Sequence, residues 1–242
     1  MGKIKKLYKF LLRGYKADSE MYIKYLKKIG VQIGENVHFH DPVTNFVDTN
    51  KPFMISIGNN VEITRGVVIL AHGYDWAVLK QLTGKVYGSA GKVVIGNNVF
   101  IGMNSIILKN ITIGNNVIIG AGSVVTEDIP DNSVVAGAPA KVINDILSYE
   151  KKRAFEQESE AKAFLKEYVN RYNTIPSKAD MCEFIELFEN VDSDKELIKE
   201  HKDILALTGN YDDSLKRFID TKKTYSSYEE FVDITMNLKK NS

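Results

Sequence analysis

From residue 95 to residue 130 the chain repeats every six residues, reading IGNNVF, IGMNSI, ILKNIT, IGNNVI, IGAGSV and VTEDIP. Ile95, Ile101, Ile107, Ile113, Ile119 and Val125 hold the first place of each hexad, and Val99, Ser105, Ile111, Val117, Ser123 and Ile129 hold the fifth. Both places are expected to face a core. The fourth place carries Asn98, Asn104, Asn110, Asn116, Gly122 and Asp128, residue types that tolerate positive φ, so the backbone is expected to turn there once per hexad. A helix needs apolar residues at 3.6 spacing and an ordinary sheet needs spacing of two, so neither accounts for the run. A parallel β-coil does, with successive turns stacked at about 4.8 Å and each aliphatic side chain resting on its equivalent above and below.

The same phase begins at Ile33-Gly34-Glu35-Asn36-Val37-His38, weakens between residues 44 and 56, and returns at Ile57-Gly58-Asn59-Asn60-Val61-Glu62. In the weak stretch Asn45, Asp48, Thr49, Asn50 and Pro52 predict an irregular side or a loop. The phase then reaches Ile69-Leu70-Ala71-His72 and breaks, because the 26 residues from Ile69 to Ile95 are not a multiple of six. Residues 73–92 are therefore expected to leave the coil as a loop. His72 stands in a fourth, corner place directly before that loop, which points its ring outward. Four to six coils are expected in all, roughly 20–30 Å of height.

Here the sequence resembles the hexapeptide-repeat acyltransferases, in which three hexads make one coil of a left-handed β-helix. The stretch Ile69-Leu70-Ala71-His72-Gly73-Tyr74-Asp75-Trp76 is similar to the site segment of bacterial sugar and polysaccharide O-acetyltransferases. The resemblance implies a homotrimer with its active site between subunits. It also implies acetyl transfer from acetyl-CoA to a hydroxyl of a sugar or saccharide intermediate, directly and without a metal, with His72 as general base. Asp75 is the candidate for orienting the imidazole, although in the family an Asp often follows the His directly, where this chain has Gly73. Gly102 is the candidate backbone donor to the oxyanion. Along the acetyl-CoA cleft the resemblance places Gly102 and Ala121, which let the pantetheine approach, with Thr126 to hydrogen-bond it and Lys141 to meet a phosphate. Glu127 departs from the family's common Lys. Trp76 is expected to pack on the loop or line the cleft, and Asn45 to contact the acceptor.

Other readings stay open: an N-acetyltransferase acting on an amino-sugar nucleotide, a metal protein like the γ-class carbonic anhydrases, and a non-catalytic β-helix scaffold. His38 and His40 form an H-x-H pair that invites the metal reading, but zinc in that class needs three histidines. The net charge of +1 lacks the positive field of a nucleic-acid-binding protein. One cysteine, Cys182, permits neither an intramolecular disulfide nor a thiolate metal cluster, and it is expected to be a buried packing residue.

Before the coil, residues 3–15 follow helical spacing with a basic face, and a second helical pattern follows the possible caps Asp18 and Ser19 and stops at Gly30. Residues 1–30 are thus expected to cap the open end of a coil spanning 31–144; peripheral membrane contact through the basic helix is the sharper alternative. No apolar run is long enough to cross a bilayer and no secretory signal is evident, so the expectation is a cytoplasmic protein. Residues 145–242 lose the hexads and read as an α-helical module. Its elements are expected over residues 155–172, after Ser177 with Asp180, over 195–207 and 212–219, and after Ser227 with Glu230.

Overall fold

The structure, a computed structural model, describes residues 12–237. Most of the basic helical pattern at residues 3–15 lies outside the described residues. The chain divides into two compact units, one ending at Tyr149 and the other beginning at Glu150.

The first unit is the β-coil. Its coil strands are two to four residues long and run parallel within three sheets, the second of which ends on one antiparallel strand of five residues, Lys141–Asp145. One face is built from Gln32–Ile33, Ile55–Ile57, Val93–Ile95 and Ile111–Ile113. The second carries Val37–Phe39, Val61–Ile63, Val99–Ile101, Val117–Ile119 and Ser133–Ala136, and the third Phe46–Val47, Val68–Ile69, Ile106–Ile107 and Val124–Val125. The fold is the mainly β, left-handed β-helix that the family resemblance implies, with helices at its N-terminal end and in the C-terminal region. From residue 95 to residue 130 the first-place and fifth-place residues of the hexads are all buried, including Ser105 and Ser123, whose hydroxyls both donate to the Gly120 carbonyl, whereas Ile33 at the start of the coil is half-buried. A buried hydroxyl without a partner would be costly, and this shared acceptor satisfies both.

The I-G-N-N-V corner follows from close stacking. A Cβ on Gly96 would lie 2.5 Å from the Gly114 carbonyl oxygen, and one on Gly58 the same distance from that of Gly96, so the second place has no room for a side chain. In the third place, Asn97 Oδ1 accepts the Asn59 N–H at 2.8 Å, and Asn115 Oδ1 accepts the Asn97 N–H at 2.8 Å. In the fourth, Asn36, Asn60, Asn98, Asn104, Asn110, Asn116 and Asn132 adopt positive φ, as does Gly122. Asp128 and His72, expected to share that conformation, do not.

Equivalent residues are 18 apart in the regular turns and 38 apart where the chain leaves between Ala71 and Lys92. The excursion is not wholly irregular, because it contains helix α2 (Trp76–Thr83), preceded in the chain by α1 (Ser19–Ile29). Helix α1 is capped by Asp18 Oδ1, which accepts the Met21 N–H at 2.9 Å, and ended by Gly30 at φ 112°. It closes the open end of the coil: Tyr22 and Leu26 join the coil's own core, and the Tyr22 ring meets Phe39 edge-on at 4.9 Å. At the other end Lys141–Asp145 turns back antiparallel onto Ser133–Ala136.

Helix α3 (Ile146–Tyr172) carries the chain into the second unit, where α4 (Lys199–Leu205), α5 (Tyr211–Asp220) and α6 (Tyr228–Met236) follow. Ala161, Leu165, Met181, Phe188 and Phe231 form one core there, and Ile185, Leu197, Leu205 and Phe218 another. Ser227 caps α6 by accepting the Glu230 N–H at 3.1 Å, but the Ser177/Asp180 signal opens only a turn and then a short 3₁₀ stretch, Cys182–Leu187. Cys182 is half-buried rather than buried as expected, and Phe155 is exposed on α3.

Gly96→Ala is expected to cost about 1–3 kcal/mol, because its Cβ has no space between rungs. Gly88→Ala, with nothing within 4 Å of its Cβ, should change stability by only a few tenths of a kcal/mol. Urea denaturation of both variants tests the stacking constraint.

Candidate active site

Two rungs of the third face meet at the break in the repeat. The lower strand, Phe46–Val47, pairs with Val68–Ile69 above it, and Asp48 continues the ladder by donating its N–H to the Ile69 carbonyl at 3.0 Å. Asp48 is fully buried. Its Oδ2 accepts the Ala71 N–H at 2.9 Å and the Nδ1–H of His72, while Oδ1 accepts the Asn50 N–H at 2.9 Å. Burial alone would push this carboxyl up. The hydrogen bonds from His72 and from the Ala71 and Asn50 amides outweigh burial and hold it below the usual carboxylate range.

The imidazole is therefore held from one side. With Nδ1 protonated and facing an ionised carboxylate, Nε2 carries the lone pair, and Asn50 Nδ2 stands 3.3 Å from it. The excursion holds the segment from the other side: His72 bridges antiparallel to Ala90, Gly73 N–H donates to the Ser89 carbonyl at 2.9 Å, and Gly91 N–H donates to the Ala71 carbonyl at 2.9 Å. These bonds tie the departing and returning strands of the excursion together beside the ring. The arrangement can present Nε2 as a proton acceptor in an orientation held by Asp48, with the carboxylate placed to offset positive charge on the ring.

Sequence reasoning placed Asp75 in the orienting role. The structure gives Nδ1 to Asp48 instead: Asp75 is exposed at the start of α2, its Oδ1 directed at Gly73 alongside Ser89 Oγ. Asp48 and Asn50 were visible in the sequence only as part of the irregular stretch one coil earlier. Their 24- and 22-residue separations from His72 differ from the regular repeat of 18, so periodicity does not align them with the histidine.

Gly102 is also displaced from its expected role. Its N–H is spent in the ladder, donating to the Ile119 carbonyl at 2.8 Å, and the residue is buried with no room for a Cβ. It serves the stack rather than an oxyanion. Asn45 is 1% exposed and its Nδ2 donates to the Thr64 carbonyl at 2.6 Å, so it has no surface with which to touch an acceptor.

The remaining residues named for the acetyl-CoA cleft are on the surface. Thr126 follows Val124–Val125, which lies two rungs above Val68–Ile69 on the same face, about 10 Å along the coil. Ala121 and Thr126 are exposed. Lys141 Nζ donates to Glu127 Oε2 at 2.9 Å, so an incoming phosphate must compete with Glu127 for that ammonium. Trp76 is half-buried, its ring 4.5 Å from that of Tyr74. Away from this region, His38 and His40 stack edge-on at 4.7 Å, and His40 Nε2 lies 2.7 Å from Glu62 Oε2. Among the described residues no three His, Cys, Asp or Glu side chains converge as a metal site.

Comparison with known proteins adds the following. The model of the bacterial transferase hexapeptide, six repeats, matches residues 92–127. Protein CapG of Staphylococcus aureus is 47% identical over 128 residues, which cover 52% of this chain and 73% of that protein. Galactoside O-acetyltransferase of Escherichia coli is 33% identical over 134 residues, covering 55% of this chain and 62% of that protein. Among solved structures, a galactoside acetyltransferase in complex with coenzyme A aligns over 61% of this chain and 84% of that one, at 29% identity and a TM-score of 0.42.

Because the Asp48 carboxyl is held low in the folded state, its stabilising contribution is complete above its unfolded value near 3.8 and is lost as pH falls through the folded value. The stability gap between the parent and Asp48→Asn, measured by urea denaturation, should therefore be wide at pH 7 and narrow progressively below about pH 4.

Proposed function

The chain belongs to the hexapeptide-repeat transferases and is an acyltransferase, and on that premise we propose that it moves acetyl from acetyl-CoA to a hydroxyl of a sugar or saccharide, with His72 as the base. The observation that carries this reading is the Asp48–His72 pair with Nε2 turned to Asn50. The acceptor hydroxyl gives its proton to Nε2 as its oxygen attacks the thioester carbonyl carbon. The tetrahedral adduct then collapses, the C–S bond breaks, and the imidazolium returns the proton to sulfur, leaving an ester and free CoA thiol. Asp48 stays ionised throughout, holding the ring by Nδ1 and offsetting the charge that appears on it. Asn50 Nδ2, beside Nε2, is placed to hydrogen-bond the acceptor oxygen before transfer.

The reading includes a homotrimer whose cleft lies between subunits. It is supported by the apolar side chains that α2 leaves exposed on the single chain, Val78, Leu79 and Leu82. Sedimentation equilibrium checks it, with three copies expected.

CoA thiol release from acetyl-CoA in the presence of sugars, amino sugars and nucleotide sugars tests the chemistry. His72→Ala should lower acceptor-dependent release by about 10²–10⁴-fold while still binding CoA. Asp48→Asn is expected to fall by a comparable factor, since an amide facing Nδ1 selects the wrong tautomer. Equal release by parent and His72→Ala would sink the assignment of the base. Mass analysis of the product separates an ester from an amide.

A further inference from the structure

Tyr74 is a large aromatic residue two positions after the base, and 68% of it is exposed. Its ring leans on Trp76, 4.5 Å away at 45°, so the pair forms a supported aromatic surface rather than a free side chain. The backbone beneath it is fixed: His72 is bridged to Ala90 and the Gly73 N–H is bonded to Ser89. The ring is thus anchored two residues from the imidazole, where the excursion leaves the coil. Polar atoms lie nearby, Asp75 Oδ1 and Ser89 Oγ beside Gly73 and Asn50 Nδ2 beside the imidazole.

Such a surface matches one shape of acceptor. A pyranose ring has hydroxyls around its edge and C–H bonds on its faces. The C–H face can lie on an aromatic ring while an edge hydroxyl reaches Nε2 and its neighbours meet the flanking polar groups. An open-chain polyol offers the same hydroxyls without the rigid face. We propose that Tyr74, backed by Trp76, is the platform on which the acceptor's pyranose ring stacks, and that it makes the enzyme select cyclic over open-chain acceptors. This rests on the acetyl-transfer reading above.

The experiment compares a methyl pyranoside with an open-chain hexitol as acceptors for the parent, Tyr74→Ala and Tyr74→Phe. CoA affinity is measured for each by calorimetry and folding by thermal denaturation. The parent is expected to favour the pyranoside in kcat/KM by about tenfold or more, a preference worth one aromatic contact. In Tyr74→Ala the pyranoside KM should rise about tenfold with a smaller change in kcat, erasing the preference, whereas Tyr74→Phe keeps it. Retention of the preference in Tyr74→Ala overturns the platform and leaves acetyl transfer standing. A matching loss of CoA affinity in Tyr74→Ala assigns the ring to the cofactor's adenine instead, and also overturns it. If the parent acetylates neither acceptor nor any other sugar, the acetyl-transfer reading fails and the platform with it.

Discussion

Every part of the first unit depends on how closely one coil sits on the next. At about 4.8 Å per rung, the corner must bring two backbones together, and the carbonyl of one Gly lies where the Cβ of the next would be. That closeness leaves corner N–H groups that no strand partner satisfies. The third-place side chains meet them, Asn97 and Asn115 and then Asp131, each accepting from the backbone one rung below. Side-chain amides at the fourth place continue the ladder, Asn98 donating to Asn116 and Asn116 to Asn132. Gly, Asn and Asn are therefore three answers to one geometric demand: room, hydrogen-bonding and a left-handed turn.

A stack of this kind is stiff, which suits a site that must hold a base in place. The rung that carries His72 is not itself sufficient. Its imidazole is aimed by an acid on the rung below and by the two strands of the excursion that starts at Gly73. Burying a carboxylate is costly, and at Asp48 the cost is offset by two backbone N–H groups and the imidazole. The same bonds that keep the carboxyl ionised also select the imidazole tautomer, so stability and chemistry draw on one set of contacts. The second unit is organised differently, around aromatic and aliphatic clusters between helices. It holds a fully buried histidine, His201, which burial makes harder to protonate.

Regular elements were the easiest to read. Where the hexad is unbroken, the inward residues, the Asn and Gly corners and the breaks between strands follow from six-residue spacing, because each rung repeats the same local demands; Asp128 is the exception, at the last turn, where equivalent residues are 16 apart. Helix α1 was readable from Asp18 and Gly30, and α6 from Ser227 and Glu230, since a cap is a local interaction. The short 3₁₀ stretch at Cys182–Leu187 was not: its start signal is present, but packing around Ile185 and Leu187 rather than propensity sets the backbone there.

What the sequence determined by itself was the coil, its corners, the excursion after Ala71 and the outward histidine beside it, because each of these depends on residues adjacent in the chain or on a fixed period. The tertiary structure alone decided which acid serves that histidine. In a one-dimensional reading Asp75 is the acid near the histidine, and nothing aligns Asp48 with it. Stacking one rung on another puts Asp48 under His72 and fills its oxygens with the amides of Ala71 and Asn50, while Asp75 stays at the surface at the head of α2. For the same reason Gly102 and Asn45 lost their expected roles: the Gly102 N–H is already bonded within the coil, and Asn45 is buried in it beyond the reach of a ligand.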